Sequence, residues 1–302
     1  MKKIKALGSA RSALTVALSL AFFLAPPHAR AAVVPGLKEA VVVVDKKTNK
    51  LHLANYNEGP LEIIKTYRVT FGKSNGDKLW EGDLKTPEGI YDFLYRKTPS
   101  QKKFGPLAIY ISYPNSMDKH GAKTGNQILL HGTDDPSRLE RPFDSLGCVV
   151  TDNENVLEIS DSVKIKETKI LITRDYDAVK DATRLPKAKE FFANWLKAWS
   201  EKDLVGYIES YADEYIPQSA GRNRNEFARY KESLNKMYGT IKVTASDVRY
   251  YFHEKYDLIT FTQNYESTLP NGRPAYSGVA KKNLYIQERN GHYRIVTEEA
   301  QK

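Results

Sequence analysis

Between Glu39 and about Thr173 the apolar residues come in short runs of β-branched and aromatic type, with turn residues between them. The runs are Ala40 to Val44, Lys50 to Asn55, Glu62 to Phe71, Ile90 to Leu94, Leu107 to Ser112, Gln127 to Leu130 and Lys169 to Thr173. Runs of this length and composition are strands, and many short strands with a single helix predict a mainly β sandwich or barrel. The helix is expected after Cys148, where Thr151-Asp152-Asn153-Glu154 has the form of a capping box.

A polar stretch, Arg174 to Lys187, ends at a proline and marks a boundary. Beyond it the periodicity changes. Phe191, Phe192, Trp195, Leu196 and Trp199 repeat at helical spacing, as do Leu204, Tyr207, Ile208 and Tyr211, and Phe227 to Met237 reads as a third helix. Strands follow from Ile241, with Pro270-Asn271-Gly272 and Asn290-Gly291 as hairpin turns. Helices followed by a curved antiparallel sheet predict an α+β cone. The expected organisation is therefore 1–31, 32–174, a linker over 175–187, and 188–302.

The first segment carries Lys2, Lys3, Lys5 and Arg11, then an apolar run from Ser12 to Ala25, then Pro26-Pro27 and Ala29-Arg30-Ala31. That order reads as a secretory signal peptide cleaved after Ala31, which predicts an exported, periplasmic protein. The run is too short and too proline-bounded to span a bilayer, and no other stretch could, so no stable span is expected after cleavage. The whole chain has a formal charge of +9, but residues 1–31 contribute five basic groups and no acid, leaving +4. A modest lysine excess selects no partner, and no arginine-rich helix, aromatic-basic strand motif or zinc-finger spacing argues for nucleic acid.

Cys148 is the only cysteine in the chain. In an exported protein it has no intramolecular disulfide partner, so it is either buried and inert or kept for its reactivity. Its surroundings favour reactivity. Ile128-Leu129-Leu130 forms a short strand that would carry His131 at its end, a base for the thiol. The thiol should lie just ahead of a helix N-terminus, where the dipole would lower its pKa and the backbone N–H groups of Gly147 and Cys148 could face an oxyanion. The carbonyl of Gly132 is the candidate for fixing the imidazole tautomer.

His131-Gly132, a spacer, then Ser145-Leu146-Gly147-Cys148-Val149 resembles the signature of the L,D-transpeptidase catalytic-domain family, cysteine-dependent enzymes of the bacterial cell wall. Lys85-Thr86-Pro87-Glu88-Gly89-Ile90-Tyr91 is similar to the family's threonine-proline-x-glycine segment. The resemblance implies a mainly β fold, Cys148 as nucleophile, His131 as base and then acid, and peptidoglycan stem peptides as substrate. The chain departs from the family at Leu146, where histidine is usual, and at Val150, where arginine is frequent. Neither is nucleophile or principal base, so activity should survive with altered preference. Trp195-Leu-Lys-Ala-Trp199 with Lys202-Asp203 is similar to nuclear-transport-factor-2-like domains, and the two-domain arrangement resembles the cell-shape L,D-carboxypeptidases.

The polar loops Ser74 to Lys85 and Gly132 to Leu146 are expected to shape the cleft. Arg138, Arg141 and Ser145 in the second loop are candidate substrate-binding residues, the guanidinium groups for a carboxylate. His52 and His120 are read as structural or exposed, and His253 and His292 show no partner pattern. Tyr250, Tyr251, Tyr256, Tyr265 and Tyr285 could line a pocket in the second domain or divide between sheet core and surface. The second domain is also the candidate surface for a protein partner. Scattered histidines give no metal signature and no cofactor is inferred. Three functions follow: an L,D-carboxypeptidase that trims tetrapeptide stems, a transpeptidase whose thioester is taken by an amine, and a non-catalytic murein-binding protein, which Leu146 would suit.

Overall fold

A computed structural model describes residues 34–215 and 223–301. The signal-peptide expectation lies outside the described residues. Among them, no helix is long and apolar enough to cross a membrane.

The first domain is built from β1 (Ala40–Asp45), β2 (Lys50–Asn55), β3 (Glu62–Arg68), β4 (Phe71–Gly72), β5 (Gly89–Lys97), β6 (Ala108–Ile111), β7 (Leu129–His131), β8 (Phe143–Ser145), β9 (Val149–Val150) and β10 (Lys169–Thr173). Eight of these form one sheet in the order β3-β2-β1-β10-β5-β6-β7-β9, while β4 pairs with β8. Only β1–β10 and β7–β9 are parallel within the large sheet. Thr70 and Val150 exchange both backbone hydrogen bonds at 3.0 Å, so the last strand in the order meets the chain leaving β3 and the sheet curls on itself. Two helices attach, α1 (Ser116–His120) and α2 (Asn153–Ser162). Val156 and Ile159 of α2 share the main core with Val42, Leu51, Phe71, Phe93 and Leu130. Each such side chain, fully buried, contributes about 1.5–3 kcal/mol of burial free energy.

The unbroken valine run of β1 has a direct cause. Val42 and Val44 point into this core, and Val41 and Val43 join Ile90 and Leu171 in a second cluster on the opposite face. A strand covered on both faces has no need of polar alternation. The cover on the second face is Tyr251, Tyr256, Leu258 and Tyr285 of the C-terminal domain.

That domain consists of α3 (Ala178–Ser200), α4 (Leu204–Glu209), α5 (Arg224–Met237) and a four-stranded antiparallel sheet of β11 (Ile241–Tyr251), β12 (Asp257–Thr268), β13 (Pro274–Arg289) and β14 (His292–Ala300). Asn290 and Gly291 both adopt positive φ (50° and 81°), the two-residue turn that suits a twisted hairpin. Phe192 and Trp195 of α3 pack on Phe261, and the Trp195 indole donates to Tyr211 Oη at 3.3 Å. Much of the 175–187 stretch expected as linker is helix, because α3 begins at Ala178 and carries Pro186 inside it. An interior proline forfeits one helical hydrogen bond. The packing of Ala188, Phe192 and Trp195 beyond it offsets that loss.

Candidate active site

His131 ends β7 and Cys148 immediately precedes β9, and these two parallel strands are neighbours with Leu130 opposite Val149. Cys148 therefore falls opposite Leu129, with His131 two residues further along the same face of β7, and both side chains open into one cavity of about 700 Å³. His131 is buried and its Nδ1 lies 2.5 Å from the Gly132 carbonyl. A carbonyl only accepts, so Nδ1 carries the proton and Nε2 of the neutral ring is left as the acceptor. Burial holds the imidazole down to about 4, against the favourable pull of that carbonyl, so the ring is neutral at neutral pH. Phe104 stacks edge-on against it at 4.9 Å.

The thiol departs from the expectation. Burial pushes Cys148 up to about 11, although the residue keeps partial exposure. Its sulfur lies 4.0 Å from the Gln127 carbonyl, an acceptor that favours the protonated form. The helix does not supply the expected compensation. Its N-cap is Asp152, with no side-chain cap, and the capping box at Thr151 does not form because the Thr151 hydroxyl donates to Arg68 O at 2.9 Å. Asp152 is drawn off by a two-bond pairing with the Arg68 guanidinium, and Asn153 Oδ1 accepts the Thr133 N–H at 2.9 Å. The start of α2 thus braces the histidine side of the site, with β9 between it and the thiol.

The segment bearing the cysteine is held from beneath by the Thr-Pro motif. Thr86 Oγ1 accepts the Gly72 N–H and donates to the Gly147 carbonyl, both at 2.9 Å, and the Lys73 N–H reaches the Ser145 carbonyl at 2.8 Å. Gly147 has φ +133°, and a Cβ there would stand 2.9 Å from the Lys85 carbonyl. The Gly147 N–H, expected as an oxyanion donor, is spent on Ser145 Oγ at 3.1 Å. Ser145, expected to touch substrate, is buried and its hydroxyl donates to the Cys148 carbonyl at 2.6 Å. It closes the Ser145–Cys148 loop upon itself. Among the described residues the Cys148 N–H has no such bond, which leaves it as the backbone donor beside the sulfur.

The two arginines separate. Arg138 lines the cavity and is tied to Asp144 and to Thr133 Oγ1. Arg141 lies outside it, largely exposed, and donates to Asp144 at 2.8 Å. Leu146 stands exposed at the cavity lip, whereas Val150 is wholly buried in the pairing with Thr70, a position without room for a charge. Of the two loops expected to shape the cleft, Gly132 to Leu146 does so. Ser74 to Lys85 does not line the cavity, and its Lys78 is turned inward onto Asp83 at 2.8 Å. The remaining wall is instead Pro99 to Gln101, Lys103 and Phe104, with Lys97 and Tyr110. Sequence reasoning passed over that wall, whose only signal was a polar loop ending in Phe104-Gly105-Pro106.

Elsewhere, His52 is bonded to Thr66 Oγ1 at 2.9 Å and His120 is exposed. His253 proves to be buried, with Nε2 2.9 Å from Ile172 O and Nδ1 accepting the Lys255 N–H. Of the five tyrosines, Tyr265 lines a cavity of about 440 Å³ with Trp199 and Lys231, Tyr250 is in the domain core, and the other three cover β1 and β10.

Residues 39–172 match the family model for the L,D-transpeptidase catalytic domain, and residues 187–299 match that for the Cds6 C-terminal NTF2-like domain. Among solved structures, Bd1075 of Bdellovibrio bacteriovorus is 29% identical with a TM-score of 0.74, covering 87% of this chain and 92% of that one. The helical cell shape determining protein Pgp2 of Campylobacter jejuni is 26% identical with a TM-score of 0.68, covering 86% and 91%. Its K307A mutant is 25% identical with a TM-score of 0.71, covering 87% and 91%. No curated protein matches by sequence. On the motifs, the curled sheet and these matches together, residues 39–172 belong to the L,D-transpeptidase catalytic-domain family, joined in this chain to an NTF2-like domain over residues 187–299.

Proposed function

We propose that the protein is a periplasmic L,D-carboxypeptidase that removes the terminal D-alanine from murein tetrapeptide stems through a thioacyl-enzyme. The observation that carries this reading is the pairing of His131, its Nε2 left unprotonated by the Gly132 carbonyl, with Cys148 in one cavity. The likeness to a cell-shape protein over most of both chains supports a wall substrate.

The thiol is protonated at rest, so attack and deprotonation go together. Sγ bonds to the carbonyl carbon at the L-centre of diaminopimelate while its proton passes to His131 Nε2. The oxyanion meets the Cys148 N–H. Collapse breaks the C–N bond, and the imidazolium returns its proton to the departing D-alanine amine. Water, deprotonated by the same Nε2, then attacks the thioester and expels the thiolate, which takes the proton back. Arg138, on the cavity wall, is the group suited to a substrate carboxylate.

Mature protein and a Cys148→Ala variant, each incubated with purified muropeptides and analysed by mass, test this. Loss of one D-alanine from monomeric tetrapeptides, absent in the variant, is expected. New crosslinked dimers would instead make an amine the acceptor and the enzyme a transpeptidase, and no cysteine-dependent product would leave a murein-binding protein.

A further inference from the structure

The turn joining β11 and β12 is the point at which the C-terminal domain grips the catalytic one. His253 donates from Nε2 to Ile172 O at 2.9 Å, Glu254 accepts from the Arg174 N–H at 3.0 Å, and Tyr256 Oη takes the Ile90 N–H at 2.7 Å. Lys255, between them, goes further in. Its ammonium bridges Asp77 Oδ2 at 2.7 Å and Glu88 Oε2 at 2.8 Å.

Those two carboxylates organise the segment that carries the nucleophile loop. Glu88 Oε1 holds Lys46, 3.0 Å away, whose ammonium also reaches the carbonyls of Gly76 and Thr86 at 2.6 and 3.1 Å. Asp77 accepts the Glu88 N–H at 2.8 Å and pairs with Lys123, which pairs in turn with Asp118 at 2.7 Å. Three cations thus face three carboxylates. Both Lys46 and Glu88 are almost wholly buried, where an unbalanced charge is expensive. Without Lys255 the cluster carries one net negative charge, at the residue two along from Thr86. Thr86 is the side chain that suspends the Gly147 carbonyl next to Cys148.

We propose that Lys255 of the NTF2-like domain is a positioning residue for Cys148, holding through Glu88 and Asp77 the segment from which Thr86 supports the nucleophile loop. The second domain is then part of the active-site scaffold as well as a neighbour. The proposal rests on the reading of Cys148 as nucleophile. Its test has a readout that does not depend on substrate, because alkylation of the only cysteine in the chain is unambiguous.

The experiment compares full mature protein with Lys255→Met, Lys255→Arg and Arg249→Met. Arg249 forms another interdomain ion pair, with Glu39 at 2.5 Å and of similar exposure, and does not touch the 76–88 segment. Iodoacetamide alkylation of Cys148, thermal unfolding, and kcat and KM on tetrapeptide are measured for each. Lys255→Met should change the alkylation rate at least about threefold and lower kcat about tenfold or more with KM within about twofold, as misplacement of a reacting group does. Lys255→Arg should recover most of both, and Arg249→Met should lower the unfolding temperature while leaving both near wild type. Equal effects of Lys255→Met and Arg249→Met, or none on alkylation and kcat, would overturn the proposal. If Lys255→Met does not fold, Lys255→Met/Glu88→Gln restores the charge balance. That double variant should fold with the same slowed chemistry, and wild-type alkylation in it would also overturn the proposal. Wild-type protein inactive on muropeptides would refute the function above, while the alkylation comparison would still decide the role of Lys255.

Discussion

The hydroxyl of Thr86 donates to the carbonyl of Gly147 at 2.9 Å, across 61 positions of sequence, and accepts the Gly72 N–H at the same distance. One buried side chain thereby joins the Thr-Pro motif to the loop that carries Cys148. Thr86→Val keeps the shape and removes both bonds, leaving a buried N–H and C=O unsatisfied. A stability loss of about 2–4 kcal/mol and a fall in kcat of about tenfold are expected. Thr86→Ser should stay within about twofold. Urea unfolding with steady-state kinetics checks both, and a Thr86→Val enzyme with unchanged kcat would show the buckle to be dispensable.

Gly147 is required for a different reason. Its φ of +133° is open to glycine, and an added Cβ would press on the Lys85 carbonyl at 2.9 Å. Backbone cannot give as a flexible side chain can. Gly147→Ala should cost about 1–3 kcal/mol and most of the activity. Gly59→Ala, also at positive φ but with nothing within 4 Å, is the control that should lose stability alone.

Much of this was legible beforehand, for identifiable reasons. The β1 valine run, the Asn290-Gly291 hairpin and the aromatic spacing of α3 are local signals read with local rules. That His131 and Cys148 meet at one cavity was legible because one ends a short strand and the other immediately precedes one, each beside a glycine. What escaped was non-local. The capping box at Thr151 failed because the Arg68 carbonyl, far back in the chain, takes the Thr151 hydroxyl. The thiol pKa went up because burial is a tertiary property that motif spacing does not encode. The hairpin His253 to Tyr256 is a row of polar residues in sequence, and its meaning lies in the groups it meets on β5, β10 and the 76–88 segment.

Two buried histidines set the acid limit of stability. Desolvation lowers His131 and His253 each to about 4, against 6.5 when unfolded. Between those values the unfolded chain binds protons that the folded chain does not, so stability is full above about pH 6.5 and declines as pH falls toward 4. The loss is up to roughly 3 kcal/mol per histidine. Asp77 and Glu88 are held below their ordinary values, burial being outweighed by Lys123 and Lys255 for the first and by Lys255 and Lys46 for the second. They fail later, at still lower pH. Unfolding midpoints from pH 7.5 to 4.5 should fall steadily, and His253→Gln should flatten the slope by about half. A level profile would contradict the burial of neutral imidazoles.

The raised thiol and lowered imidazole make a neutral pair at rest, with chemical consequences. Iodoacetamide alkylation of Cys148 should rise about tenfold per pH unit from 6 to 9 with no plateau near neutrality, because only the thiolate reacts. The low-pH limb of kcat/KM should instead fall near 4, where His131 takes a proton. A plateau in alkylation at pH 7 would reveal a preformed thiolate–imidazolium pair and require the thiol to be charged before substrate binds.

The two arginines of the 132–146 loop share Asp144 but differ in what else they reach. Arg138 faces the cavity and has about a fifth of its side chain exposed, at 19%, against 59% for Arg141 outside it. A carboxylate of the stem peptide would therefore meet Arg138. Arg138→Ala should raise KM about tenfold or more, the worth of a charge-assisted hydrogen bond, whereas Arg141→Ala should stay within about twofold. Because Arg138 also braces the loop through the Asp144 carbonyl at 2.9 Å, part of its effect will appear as a lower unfolding temperature. Arg138→Lys separates the two roles. A single ammonium can keep the charge but not the fork, so stability should recover less than substrate affinity if charge is what the substrate uses, and neither should recover if two-point recognition is required. Equal KM changes for Arg138→Ala and Arg141→Ala would place the carboxylate site elsewhere on the cavity wall, with Lys73 and Lys103 the next cations to remove.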